Sequence, residues 1–104
     1  MSNGIRWTRT SKIKNARMME AVAWSKEISS WGEKKHGVKV ETWLDVVGEF
    51  GTIRWSVDYP DVASWDAKFL AINMDPEYHQ YVAKAMKDEL FIDGSGLDTL
   101  SRKM

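Results

Sequence analysis

Two histidines, His36 and His79, are the side chains of this sequence best suited to moving a proton near neutral pH, because only imidazole titrates there unperturbed. His79 follows Tyr78 on the flank of a helical stripe formed by Tyr78, Tyr81, Val82, Ala85 and Met86, so it faces either a pocket or solvent. In a pocket, His79 would be the proton-transfer group. Tyr59 and Tyr78 would then donate hydrogen bonds to a developing oxyanion, and Trp55 and Trp65 would be walls that exclude water. On the surface it does none of this. His36 stands just before Gly37 at the end of a helical stretch, where a cation complements the helix dipole, and reads as a solvated terminal residue.

The aromatic load is heavy: six tryptophans, three tyrosines and three phenylalanines in 104 residues. Trp7, Trp55 and Trp65 are the candidates for lining an apolar pocket that takes a flat aromatic molecule, the alternative being core or interface packing. Arg9 or Arg6 could grip a ligand carboxylate bidentately. Arg54 and Asp58, on one side of a strand, pair across the sheet or face water.

Other chemistries fall away. The chain has no cysteine, which removes disulfides, thiolate metal sites and a sulfur nucleophile. It has no Gly-rich phosphate loop, no Ser-His-Asp arrangement and no metal-spaced cluster of histidines and acids, so neither a metal nor a nucleotide is expected. Fifteen basic residues balance fifteen acidic ones, leaving no field to attract nucleic acid or an anionic membrane. The N-terminal residues lack an apolar core after their positive charge, and no apolar run approaches the roughly 18 residues of a membrane span. A cytoplasmic protein with no cofactor is the expectation.

The elements that must position these residues are legible from periodicity. Gly4 to Thr10 alternates with period two, a strand. About Lys14 to Lys35 carries Ala21, Trp24, Ile28 and Trp31 at helical spacing and stops at Gly37. Val38 to Val46 and Thr52 to Tyr59 alternate again, joined by Gly48-Glu49-Phe50-Gly51, a hairpin. Asp61 caps a helix with the stripe Val62, Trp65, Phe69 and Ile72, and Asp75-Pro76-Glu77 starts another. Leu97 to about Arg102 is a short last strand.

The order βαββαβ implies one α+β domain over residues 1–104 with a ferredoxin-like antiparallel sheet and its helices on one face. The opposite face then shows either a Val and Ile row or a mixed row including Trp43. If it is apolar, a second copy would cover it, giving a homodimer through the sheet.

The hairpin between Trp43 and Tyr59, Trp65 in its aromatic helix, Asp75-Pro76-Glu77-Tyr78 and the loop Phe91 to Gly96 resemble the NIPSNAP-like and antibiotic-biosynthesis-monooxygenase-like members of the dimeric α+β barrel superfamily. The resemblance implies a homodimeric barrel with a small pocket in each subunit. It also implies chemistry of the cofactor-free oxygenase or isomerase kind on a small hydrophobic or aromatic molecule. The alternative is a non-catalytic module that binds a small ligand or a partner. A second alternative is haem binding or degradation, with His79 as axial ligand and Trp65 beside it. Relatives with that activity carry a strand-one asparagine, whereas this sequence has Arg6, Trp7 and Thr8 there and Asn3 only before the strand.

Overall fold

The computed structural model describes residues 4–48 and 51–104. Its elements run β1 (Ile5–Lys12), α1 (Met18–His36), β2 (Glu41–Leu44), β3 (Thr52–Tyr59), α2 (Val62–Asn73), α3 (Pro76–Lys87) and β4 (Leu97–Arg102). The strands form one antiparallel sheet in the order β2-β3-β1-β4, the ferredoxin-like arrangement that the element order implies.

Local chemistry explains the element ends. Gly37 takes the left-handed conformation (φ 68°) and its N–H closes onto Glu33 O, ending α1. Asp61 accepts a hydrogen bond from the Ser64 N–H, and Asp75 one from the Glu77 N–H, so each acid caps the helix it precedes. Pro76 sits in the first turn of α3, where its missing N–H costs nothing.

Two elements are shorter than their sequence pattern. α1 begins at Met18, because Lys14 to Arg17 make a turn with Ala16 at φ 68° and Arg17 N–H on Lys14 O. Only Glu41–Leu44 of the second alternating run joins the ladder, since Val38 N–H is still bonded back to Gly32 O at the end of α1. The expected turn at Gly48 to Gly51 contains Glu49 and Phe50, which lie outside the described residues, as does Asn3.

The register puts Ile5, Trp7, Arg9 and Ser11 of β1 opposite Tyr59, Val57, Trp55 and Ile53 of β3, and the helices cover this side. The core gathers there: Ile53, Leu90 and Ala21 are almost fully enclosed, with Ile13, Trp55 and Ala85 around them. The uncovered face is the mixed row. It carries Thr8, Thr10, Ser56, the ion pairs Arg6–Asp58 (2.7 Å) and Arg54–Asp45 (2.9 Å), and the exposed Trp43 and Leu97. Arg54 and Asp58 therefore pair across the sheet, with Asp45 and Arg6. Among the described residues no helix is long and apolar enough to cross a membrane.

Candidate functional site

Between the covered sheet face and the helices lies a cavity of about 810 Å³. Its floor is Trp7, Arg9, Trp55, Val57 and Tyr59 of the sheet. Trp24, Ile28 and Trp31 of α1 form one wall, Phe69 and Ile72 of α2 another, and Tyr78, Val82 and Met86 of α3 a third. The loop with Phe91, Asp93 and Gly94 closes one end. This space explains why α2 has no buried residue: Phe69 and Ile72 of its apolar stripe front the cavity.

The walls are held rigid by ring contacts. Trp24, Trp55 and Phe91 meet edge to face in a triangle with centroids 5.4–6.2 Å apart. Each such pair adds about 0.5–1.5 kcal/mol beyond its buried area. Trp24 Nε1–H donates to Tyr81 O, which locks α1 to α3. Trp55 Nε1 is buried without a hydrogen-bond partner.

The polar end is built on Arg9. Its Nε and Nη2 donate to the two carboxylate oxygens of Asp98 at 2.7 and 2.8 Å, and Nη1 donates to Tyr78 Oη at 3.0 Å. The guanidinium lies 5.2 Å from the Trp7 ring centre, and Trp7 Nε1–H completes the cluster by donating to Asp98 at 3.3 Å. Partial burial would raise the Asp98 carboxyl, but the Arg9 fork and the Trp7 N–H outweigh it and hold it below the usual carboxylate range. Burial pushes the Tyr59 phenol up.

At the opposite end Lys14 and Glu89 form an ion pair at 2.6 Å. Glu89 stands in the left-handed region (φ 52°), where glycine usually closes a helix. Its N–H bonds to Met86 O, and the next N–H, of Leu90, to Ala85 O, so the turn drives Leu90 into the core.

Trp7, Trp55, Tyr59 and Tyr78 line the cavity. Two expectations need correcting. His79 is exposed and off the lining, and its Nε2–H donates to Asn73 O at 2.6 Å, so it offers no proton acceptor to the cavity. Trp65 does not line the cavity either; it backs Phe69 at 5.2 Å, and Phe69 is the wall. His36 also lies outside the lining, so no histidine stands to ligate a haem iron there and the haem reading does not fit. Arg6 faces the other side of the sheet and the Arg9 fork is filled by Asp98, so neither is left to grip a ligand carboxylate bidentately. Among the described residues no three His, Asp or Glu side chains gather to hold a metal ion.

Asp98 is the polar partner that the sequence reading passes over. The one available signal was its place in the last strand, which antiparallel register sets opposite Arg9.

No family model matches the chain, and no curated protein matches it in sequence. Solved structures do match in fold. An uncharacterized NIPSNAP-like domain protein from Burkholderia xenovorans superposes with a TM-score of 0.82 at 12% identity, over 100% of this chain and 88% of that one. A NIPSNAP family protein from Agrobacterium tumefaciens gives 0.81 at 12% identity, over 100% and 89%. A protein of unknown function from Bacteroides thetaiotaomicron, described as a possible oxidoreductase, gives 0.62 at 14% identity, over 98% and 97%. The chain has the fold of the NIPSNAP-family structures.

Proposed function

We infer that this protein binds a small hydrophobic or aromatic molecule between its sheet and helices, as one half of a cytoplasmic homodimeric α+β barrel. The observation that carries the reading is the cavity: about 810 Å³, walled by aromatic rings, with a few polar groups converging at one end. Those are the proportions of a small-molecule site, which typically spans about 300–1,000 Å³ and is mostly apolar with a few placed polar groups.

Cofactor-free oxygenation or isomerisation is the second reading. In its favour Tyr78 is held by Arg9 where it could donate to a developing oxyanion, and Tyr59 borders the same space. Against it, the proton acceptor assigned to His79 is absent from the cavity. Binding is therefore the primary conclusion. The description of the Bacteroides fold as a possible oxidoreductase fits the second reading.

The homodimer rests on the uncovered sheet face. With hydroxyls and paired charges over most of it, the contact would draw its apolar area from Trp43 and Leu97 and its specificity from hydrogen bonds of Thr8 and Thr10.

Native mass spectrometry followed by a denaturing run tests both claims. A dimer that releases a small apolar molecule on denaturation supports them. A stable monomer overturns the barrel, and failure of the empty protein to bind the uncharged dye 1-N-phenylnaphthylamine overturns the site.

A further inference from the structure

We propose that the ligand of this cavity is uncharged and presents one hydrogen-bond acceptor, such as a carbonyl oxygen, to Tyr78 Oη, with Arg9 acting on it only as a positioning residue. This rests on the cavity being the binding site. Three observations lead to it.

The first is the state of the Tyr78 hydroxyl. An arginine side chain can only donate hydrogen bonds, so in the 3.0 Å contact with Arg9 Nη1 the tyrosine oxygen is the acceptor. The phenol hydrogen is then free to be given elsewhere, and none of the hydrogen bonds among the described residues uses it. Donors that accept one bond while giving another are polarised by it, which strengthens the bond they give. The ring itself is fixed by stacking on Trp31 at 6.4 Å and by the edge contact with His79 at 5.5 Å. Tyr78 is a placed donor at the end of an apolar space.

The second is the charge on the lining. Four charged residues border the cavity: Arg9, Lys14, Glu89 and Asp93. Arg9 is matched by Asp98 through two short bonds, and Lys14 by Glu89 at 2.6 Å. Both cations are therefore compensated before any ligand arrives, and Asp93 is left over. A carboxylate or phosphate entering this space would lose its water without gaining an unpaired cation, and would meet Asp93 near the loop end. A cationic ligand would find Asp93 only at an exposed position and would be repelled by the Arg9 guanidinium beside Tyr78.

The third is the anchoring of Arg9. Its planar fork is closed on Asp98, and its face rests on Trp7. This holds Nη1 on Tyr78 and keeps the charge from acting directly on a ligand, so changing Asp98 should change charge preference without changing the apolar walls.

The experiment uses tryptophan quenching with four probes of one shape: 2-acetylnaphthalene, 2-isopropylnaphthalene, 2-naphthoate and naphthalen-2-ylmethylammonium. In the unmodified protein the ketone should bind about 3- to 10-fold more tightly than the hydrocarbon, the worth of one neutral hydrogen bond, and both ions more weakly than either. Tyr78→Phe should bring the ketone to the level of the hydrocarbon while leaving the hydrocarbon within about 2-fold, since the ring and its stacking remain. Asp98→Asn should free the Arg9 fork and raise naphthoate affinity about 10-fold or more, as expected for a charge-assisted bidentate contact. Tightest binding of either ion by the unmodified protein overturns the proposal, as does a ketone preference that survives Tyr78→Phe or a naphthoate affinity unmoved by Asp98→Asn. If none of the four probes binds the unmodified protein, the cavity reading itself fails and the proposal with it.

Discussion

His36 Nε2 and Asp75 Oδ2 stand 2.8 Å apart, joining the end of α1 to the start of α3. Lys35 Nζ lies 3.0 Å from the same carboxylate and 2.9 Å from Glu77, which also accepts the Trp31 Nε1–H at 2.8 Å. Burial alone would raise the Asp75 carboxyl, but the bonds from His36, the Glu77 N–H and Lys35 prevail and lower it to about 2. The side chain that the helix-start pattern marks as a cap is also the hub between two helices. His36, read as solvated, is nearly buried against it.

Acid should reveal that hub. A carboxylate whose folded pKa is lowered contributes stability in full above its unfolded value of about 3.9. That contribution is lost as pH falls toward about 2. Urea midpoints measured from pH 5 down to pH 2 should therefore drop more steeply for the unmodified protein than for Asp75→Asn, which has no such proton to take up. Parallel curves would show that Asp75 does not carry the link.

Ala16 offers a simple stabilisation. At φ 68° its Cβ is in the region that L side chains avoid, so Ala16→Gly should gain about 0.5–1 kcal/mol net of the extra freedom glycine has when unfolded. For a domain of this size that corresponds to a rise in Tm of about 2–8 °C, read by thermal melting followed by circular dichroism. An unchanged or lower Tm contradicts the strain.

Trp55 should separate volume from polarity. Trp55→Ala empties the centre of the Trp24 and Phe91 triangle and should cost about 3–5 kcal/mol. Trp55→Phe also loses volume but removes a buried N–H that has no partner, which offsets part of the loss, so it should cost about 2 kcal/mol or less. Urea unfolding of both variants gives the comparison, and a Phe variant as unstable as the Ala variant would argue against the offset.

His79→Ala should leave affinity for 2-isopropylnaphthalene, which takes no hydrogen bond from Tyr78, within about 2-fold and cost at most about 1.5 kcal/mol, the worth of its bond to Asn73 O. Fluorescence titration and urea unfolding read the two effects. A large loss of affinity would return His79 to the site.

Much of the framework was legible because it is set by neighbours in sequence. Asp75 and Pro76 dictate a helix start, Gly37 a helix stop, and the alternation from Thr52 to Tyr59 a strand with one covered face. The site was legible in its residue types and not in their orientation. Successive residues on a helix differ by about 100°. That one step separates Tyr78, which reaches Arg9, from His79, which reaches the end of α2. The Arg9–Asp98 bond joins residues far apart in the chain, and only the register of β1 on β4 makes them neighbours. The uncovered face followed the same logic: its alternating rows were readable, but which row the helices take depends on how the sheet is packed.

The early end of β2 has a further consequence at the rim of the sheet. Only four of its residues are in the ladder, and 37–40 lie outside it. A long, flat rim with free N–H and C=O groups is a template for stacking chains into fibres, and natural proteins blunt it by shortening or charging the outermost strand. Here one rim is cut to four residues beginning at Glu41, while the other ends at the exposed Arg102. Lateral growth of the sheet is starved of rungs on one side and opposed by charge on the other, which protects the chain from polymerising along its strands.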